Sequence, residues 1–188
     1  MSTSAAAVLV RHGATEWSTL GKHTSTTDLP LLPAGESAAR ALAPRLAGTA
    51  FGEVLTSPLQ RARRTAELAG FPDAEVCGDL TEWRYGAAEG RTTAELREEV
   101  PGWSVWTHEC PGGESAEDVA ARCDRVIARI RSASAPVLVF AHGHLLRALG
   151  ARWLGLAAAD GRLFRLDTAT LSELGHERET PVLLRWNG

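Results

Sequence analysis

Three short polar segments hold residues whose types and spacing suit phosphoryl chemistry. In the first, Arg11 and His12 directly follow the apolar residues 8–10, and Gly13 comes next. A buried strand has no structural use for an arginine and an imidazole at its end, and open α/β sheets place their ligands there. We therefore expect Arg11 and His12 to hold a ligand.

The same order of apolar strand, polar end and helix start occurs twice more. Ser57 precedes a predicted helix with Arg61 near its start, and the sequence HGH occupies positions 142–144 after an apolar run. If these strands are parallel, their carboxyl ends meet at one edge, where helix N-termini favour an anion. Guanidinium groups bind phosphate oxygens bidentately, so a phosphoryl group is the expected ligand.

The same residues could also do chemistry on that phosphoryl group. The His12 imidazole can accept it covalently, provided that its oxygens are neutralised and the leaving oxygen is protonated. The two arginines and a cationic His142 would meet the first requirement. For the second, Glu82 is the best candidate, because its aromatic neighbours would desolvate the carboxyl group and favour the protonated acid. Glu89 is the alternative.

The elements that must position these residues alternate between strand and helix. We expect strands over about 6–10, 53–56, 75–77 and 137–141, and two or three β-segments within 164–186. Helices are expected over about 34–46, from 57 to 70, at the end of 78–100, from 115 to 131 and from 145 to 154. Ser57 and Ser115 are predicted N-caps. No linker or repeat interrupts this order, so the sequence predicts one α/β domain over residues 1–188.

Composition limits the class of protein. The chain has 188 residues, 44% of them hydrophobic, and a net charge of −3, which allows a substantial core and argues against a nucleic-acid partner. The cysteines Cys77, Cys110 and Cys123 lie far apart, which fits neither a disulfide framework nor a zinc cluster. The N-terminal sequence MSTSAAAVLV lacks the features of a signal or a membrane span. We expect a cytoplasmic protein without a membrane partner.

Four segments resemble those of a known family. In order and spacing they are similar to the signature segments of the histidine phosphatase superfamily: VLVRHGATEW, TSPLQRARRTAELAG, LTEWRYGAAEG and VFAHGHLLRALG. That family contains cofactor-dependent phosphoglycerate mutases and many acid phosphatases, and the resemblance covers about residues 6–155. It implies a three-layer α/β/α sandwich with a mostly parallel central sheet, as in the phosphoglycerate mutases.

The resemblance also implies a role for each group. His12 would become the phosphohistidine, and Glu82 would donate a proton to the leaving group and later accept one from water. The phosphate pocket would consist of Arg11, Arg61 and His142. Further substrate or phosphate contacts are expected from Ser18, Thr24, Ser25, Tyr85, Gly143 and His144, although His144 could instead cap the following helix. No metal ion or other cofactor is implied. The expected partner is a small phosphorylated metabolite, and the sequence leaves open whether the protein forms a homo-oligomer.

Departures from the family's mutases favour hydrolysis. The mutases carry an arginine at the position of Trp83 and a longer basic insertion that binds the substrate carboxylate. Here the corresponding segment, residues 90–111, is short, and its only basic residues are Arg91 and Arg97. A more open pocket would admit water to the phosphohistidine.

The segment WSVWTHECPGGES resembles a branch of the family with acid phosphatases and sugar-bisphosphate phosphatases. We expect Trp103, Trp106 and His108 to form one wall of the substrate pocket. The leading hypothesis is thus a metal-independent phosphomonoesterase. A phosphoglycerate mutase and a weakly catalytic phospho-ligand binding protein are the alternatives.

Overall fold

The computed structural model describes residues 5–188 and contains a six-stranded mixed sheet in the order β3-β2-β4-β1-β5-β6. Its strands are β1 (Ala7–Arg11), β2 (Glu53–Thr56), β3 (Glu75–Val76), β4 (Val137–Ala141), β5 (Leu171–Glu177) and β6 (Thr180–Arg185). The first four are mutually parallel where they pair, whereas β5 runs antiparallel to β1 and β6 antiparallel to β5. The sheet is therefore mostly parallel, as expected.

Seven α-helices in the described part of the chain flank this sheet. They are α1 (Glu16–Thr19), α2 (Pro33–Arg40), α3 (Ala43–Leu46), α4 (Gln60–Leu68), α5 (Thr93–Glu99), α6 (Ala116–Ser132) and α7 (Gly143–Trp153). Short 3₁₀ turns lie at Gly78–Leu80, Gly86–Ala88 and Ala158–Leu163. None of the helices within residues 5–188 has the length and apolarity needed to cross a bilayer.

The sheet separates two hydrophobic cores. Successive residues of a strand face opposite sides, so Leu9 and Val139 pack into the core that contains the apolar faces of α6 and α7. Val10 and Phe140 pack into the other core, together with residues of α3 and α4. This arrangement confirms the three-layer α/β/α sandwich.

The register of the parallel strands brings the three polar segments together. Arg11 of β1 pairs with Ala141 of β4, and Thr56 of β2 pairs with Phe140 of β4. The three carboxyl ends therefore lie at one edge of the sheet, and the chain continues from them into the segments that begin with His12, Ser57 and His142.

The helix boundaries differ from the predictions at two places. The expected helix over 34–46 is divided into α2 and α3, because Pro44 has no N–H to donate and lies instead in the first turn of α3. The N-cap of α4 is Leu59, so the prediction for Ser57 was wrong. The predicted cap of α6 is confirmed, since Ser115 and Asp118 form a capping box.

Candidate functional site

A cavity opens at the edge where the three strands end. It is lined by Arg11, His12, Thr15, Ser18, Gly21, Lys22, His23, Thr24, Glu82, Tyr85, Thr93, Gly143, His144, Arg147 and Leu166. Most of the residues singled out in the sequence are in this set. Ser25, Arg61 and His142 are not, and they lie behind the wall.

His12 presents one free ring nitrogen. Its Nδ1 is 2.7 Å from the carbonyl oxygen of Gly13, which can only accept, so Nδ1 carries the proton and Nε2 keeps its lone pair. Nε2 makes no hydrogen bond with residues 5–188. Burial lowers the pKa of His12 well below its ordinary value, and the charges of Arg11 and Arg61 add to this. The imidazole is therefore neutral and suited to act as a nucleophile.

The loop that carries His12 is held tightly from behind. The Gly13 N–H donates to Thr65 Oγ1 of α4 at 3.0 Å. A Cβ on Gly13 would lie 2.5 Å from the carbonyl oxygen of Gly35 in α2. No side-chain movement could relieve this clash, because the oxygen belongs to the backbone. Glycine at position 13 thus lets the loop pack directly on α2.

The Arg11 guanidinium has an unused donor. Its Nη1 donates to the carbonyl oxygen of Leu166 at 2.5 Å, whereas the buried Nε has no hydrogen-bond partner within residues 5–188. A Cβ on Gly143 would lie 3.3 Å from both Cζ and Nε of Arg11, so the glycine leaves room for this group. A buried N–H without a partner is unfavourable, and an oxyanion in the cavity would satisfy it.

Arg61 is completely buried, and its hydrogen bonds are directed at the cavity wall. Nη1 donates to the Thr27 carbonyl oxygen at 3.1 Å, and Nη2 donates to those of Thr24 and Ser25 at 3.1 and 3.2 Å. Its Nε donates to Nδ1 of His142 at 3.3 Å. These four groups surround the guanidinium, and Arg61 is not among the residues that line the cavity; its contact with a phosphate stays a prediction.

His142 is held in its neutral form. Because Nδ1 accepts from Arg61, the proton is on Nε2, which donates to Ser57 Oγ at 2.7 Å. Burial lowers the pKa of His142 well below its ordinary value, and the Arg61 charge adds to this. The expectation of a cationic His142 was wrong, because the buried ring accepts from Arg61. The ring lies next to that of His12, with 5.2 Å between the centroids.

The Glu82 carboxylate occupies the N-terminus of α7. Oε1 accepts from the backbone N–H groups of Trp83 and Leu145 at 2.9 and 2.8 Å, and Oε2 accepts from that of His144 at 3.1 Å. This side chain satisfies two of the free N–H groups at the start of α7, whereas Gly143, the first residue of the helix, lines the cavity. Since Oε2 accepts only one of these bonds, it retains a lone pair that can carry a proton.

The alternative acid, Glu89, has a structural partner instead. Its carboxylate accepts from the N–H groups of Ser25 and Thr27 at 2.9 and 3.0 Å and from the Ser25 hydroxyl at 2.5 Å. The Ser25 hydroxyl, for which a phosphate contact was predicted, points at Glu89. Neither residue lines the cavity.

The two other expected hydroxyl groups do line the cavity. Ser18 Oγ accepts from the Thr15 N–H and donates to the Thr15 carbonyl oxygen, both at 2.9 Å, and so caps α1. Thr24 Oγ1 donates to the Lys22 carbonyl oxygen at 3.0 Å. Both side chains are placed at the cavity surface by their own loop.

An aromatic group forms one side of the cavity. The Tyr85 hydroxyl is 2.6 Å from Nδ1 of His144, and the rings of His23 and His144 stack with 5.9 Å between centroids. Burial raises the pKa of Tyr85 and lowers that of His144, so this hydrogen bond joins two neutral groups. His144 lines the cavity and makes no side-chain cap to α7.

The expected tryptophan wall lies one layer further out. Trp103 contacts the His23 ring edge-on, with 5.2 Å between centroids, and Trp106 lies 5.0 Å from the His144 ring. His108 accepts from the Ser104 N–H through Nδ1 and is outside the cavity lining. The prediction that these three residues form one wall of the pocket was wrong, since none of them lines the cavity; the rings of His23 and His144 lie next to Trp103 and Trp106.

The cavity lining also includes Lys22, Thr93 and Arg147, which were not predicted from the sequence. Arg147 follows His144 by three positions in α7, a helical spacing that predicts a shared side. Lys22 meets the α5 N-cap through a β-bridge to Thr92, and this long-range pairing has no local signal.

The cavity is electropositive. The side chains of Arg11, Lys22 and Arg147 form no ion pair within residues 5–188, and Glu82 is the one carboxylate among the described lining residues. In the same part of the chain, no three His, Cys, Asp or Glu side chains are grouped so that they could hold a metal ion. The arrangement suits an anionic ligand.

Comparisons with known proteins agree with this geometry. Residues 7–188 match the family profile of the histidine phosphatase superfamily, branch 1. An acid phosphatase of Mycobacterium tuberculosis is 43% identical, with 90% of this chain and 86% of that protein covered. A sedoheptulose 1,7-bisphosphatase of Saccharomyces cerevisiae is 35% identical, with 79% and 67% covered. Proteins named probable phosphoglycerate mutase are also similar.

The fold has a close counterpart among solved structures. The product of an open reading frame of Mycobacterium tuberculosis superimposes with a TM-score of 0.90 at 41% identity, and the match covers 96% of this chain and 95% of that one.

Proposed function

Because the chain belongs to the histidine phosphatase superfamily, whose members transfer phosphoryl groups, we propose that it is a metal-independent phosphatase of small phosphomonoesters that acts through a phosphohistidine on His12. The observation that carries this proposal is the neutral His12 ring with Nε2 free at a cavity that also holds the unpartnered Nε of Arg11. A binding protein would need the cation but not the free nucleophile.

In the first step, Arg11 binds the phosphoryl oxygens and Nε2 of His12 attacks phosphorus. The Nε2–P bond forms as the bond from phosphorus to the ester oxygen breaks. Glu82, when protonated, gives its proton from Oε2 to the departing oxygen, which leaves as an alcohol. The Nδ1–H bond to the Gly13 carbonyl oxygen supports the positive charge that develops on the ring.

In the second step, water replaces the alcohol. The Glu82 carboxylate takes a proton from that water, whose oxygen attacks phosphorus as the Nε2–P bond breaks. Inorganic phosphate leaves, and His12 and the Glu82 acid are restored. The charge of Arg61, whose Nε donates to His142, also stabilises the anionic phosphoryl group.

The interactions of the basic residues in segment 90–111 favour hydrolysis over mutase chemistry. Arg91 pairs with Glu99, and Arg97 donates to the Trp103 carbonyl oxygen at 2.9 Å. Neither of these basic residues lines the cavity, so this segment offers no cation to the carboxylate of a phosphorylated acid. The similarity to an acid phosphatase and a sugar bisphosphatase supports the same choice.

A phosphoglycerate mutase is the second candidate, and one observation favours it. Lys22 and Arg147 line the cavity without an ion pair in the described part of the chain, and they could bind a second acidic group.

The substrate class we propose is a small phosphorylated metabolite. The thiols of Cys77, Cys110 and Cys123 are all free, which supports the cytosolic location that we propose.

Replacement of the nucleophile tests the proposal. With p-nitrophenyl phosphate as substrate, His12→Ala should reduce kcat/KM by more than about 1,000-fold. The matched control is His176→Gln, because His176 lies on β5 against Trp153 and outside the cavity. Mass spectrometry after a rapid alkaline quench should detect one added phosphoryl group on His12. Unchanged turnover in His12→Ala would overturn the proposal.

A coupled assay separates the two candidate functions. With 2,3-bisphosphoglycerate present, interconversion of 2- and 3-phosphoglycerate faster than phosphate release would identify a mutase. Phosphate release without interconversion supports the phosphatase.

A further inference from the structure

A buried ion pair lies next to the segment that carries Glu82, and nothing in the proposed chemistry uses it. Arg122 of α6 donates from Nε to Glu114 Oε1 at 2.8 Å and from Nη2 to Oε2 at 2.9 Å. The two side chains are only 13% and 6% exposed. Burial of two charges is costly, so such a pair contributes little net stability compared with apolar residues of the same size.

The pair holds the backbone on both sides of Glu82. On one side, Arg122 Nη1 donates to the carbonyl oxygens of Asp79 and Thr81 at 2.7 and 2.8 Å. On the other side, the Arg84 N–H donates to Glu114 Oε2 at 2.9 Å.

The main chain of Glu114 adds two further bonds to the same segment. Its carbonyl oxygen accepts from the Trp83 indole N–H at 2.8 Å, and its N–H donates to the Arg84 carbonyl oxygen at 2.9 Å. Residues 81–85 belong to no helix or strand. The backbone that carries Glu82 is therefore fixed mainly by these groups of Glu114 and Arg122, and by the bonds of the Glu82 carboxylate to α7.

We infer that Glu114 and Arg122 are positioning residues for the general acid, and that their ion pair holds Glu82 where its proton reaches the leaving oxygen. This inference rests on the proposed phosphatase function. Neither residue lines the cavity, so neither touches the substrate. They act through the backbone at positions 79–84, and a shift of about 1 Å in a catalytic group can cost up to about 100-fold in rate.

The inference predicts an effect that depends on the leaving group. A poor leaving group, such as the alkoxide of glycerol 3-phosphate, needs the proton of Glu82, whereas 2,4-dinitrophenolate leaves without it. Arg122→Lys keeps a charge but loses the planar fork that reaches both Glu114 and the two carbonyl oxygens. We expect kcat/KM to fall by about 10–100-fold for glycerol 3-phosphate and less than about 3-fold for 2,4-dinitrophenyl phosphate.

Arg125→Lys is a matched control on the same helix. Arg125 binds the Asp79 carboxylate at 2.6 Å but makes no bond to the backbone of residues 79–84. This exposed pair should be worth little, so both substrates should be turned over at unchanged rates. Glu114→Gln provides a second test variant, because it keeps the shape of the side chain and removes the charge that orients Arg122.

A double-mutant cycle distinguishes positioning from a general structural role. In a Glu82→Gln background the acid is already absent, so Arg122→Lys should cause no further loss with glycerol 3-phosphate. If the variant were only less folded, the rates measured with the two substrates on the same preparation would fall by the same factor. Their ratio would then be unchanged. Equal losses for the two substrates, or a loss that adds to that of Glu82→Gln, would overturn the inference. Failure of the phosphatase proposal itself would be seen separately, as activity retained in His12→Ala.

Discussion

Buried neutral histidines should make the protein lose stability as the pH falls. His12 and His142 are 5% and 0% exposed, and burial is the largest cause that lowers the pKa of each well below 6.5. In the unfolded chain both rings bind a proton below about pH 6.5, whereas in the folded protein they do not. The contribution to stability is therefore complete above pH 6.5 and is lost as the pH falls towards the folded-state values.

The size of the effect follows from proton linkage. If neither ring is protonated in the folded state down to pH 5, each contributes a loss of about 2 kcal/mol in the free energy of unfolding between pH 7 and pH 5. The two together give about 4 kcal/mol, which is a large share of the 5–15 kcal/mol typical of a small domain. Carboxylates with a lowered pKa, such as that of Asp79 beside Arg125, act mainly below this window.

Urea unfolding at half-unit steps from pH 7.5 to pH 5, in buffers free of phosphate, measures this loss. His142→Gln should remove no more than about a third of the pH dependence, because burial lowers the pKa of His144 well below its ordinary value too. Uptake of fewer than one proton on unfolding near pH 5.5 would show that at least one of the two rings is already protonated in the folded protein. The assignment of His12 as a neutral nucleophile would then be in question.

Three further outcomes follow from the site. Glu82→Gln should lower kcat/KM for alkyl phosphates by about 100-fold or more and that for 2,4-dinitrophenyl phosphate far less, and equal losses would remove Glu82 as the acid. Arg147→Gln should lower kcat/KM for 3-phosphoglycerate more than for glycerol 3-phosphate, by about 3–10-fold in their ratio, since only the former has a carboxylate; an unchanged ratio would exclude this contact. Dialysis against EDTA should leave turnover of p-nitrophenyl phosphate unchanged, and loss restored by a divalent metal would contradict the metal-independent mechanism.

The parts of the fold that the sequence predicts are those with short-range causes. The apolar runs of β1 and β4 followed by polar residues predict both the strands and the edge where they end. The Ser115 hydroxyl and the Asp118 carboxylate predict the start of α6 because a capping box is completed within four residues. The end of β1 also predicted Arg11 and His12 at the site, whereas Glu82 was predicted from its aromatic neighbours and from the resemblance of its segment to the family.

The parts that were missed depend on contacts between distant segments. The depth of Arg61 is set by carbonyl groups some thirty residues earlier in the chain, and the neutral state of His142 depends on Arg61 and Ser57. No local pattern indicates either. In the same way, Trp106 was expected to contact the cavity because of its type, but the position of the His144 ring excludes it.

The burial of Arg61 against three carbonyl oxygens changes how substitutions at this position must be interpreted. The guanidinium joins α4 by hydrogen bonds to residues 24–27. This segment belongs to no helix or strand. A lysine retains the charge but cannot reach three carbonyl oxygens and His142 at once. A loss of activity in Arg61→Lys would therefore indicate first that the cavity wall around Thr24 is disrupted, and only then that a phosphate ligand is missing.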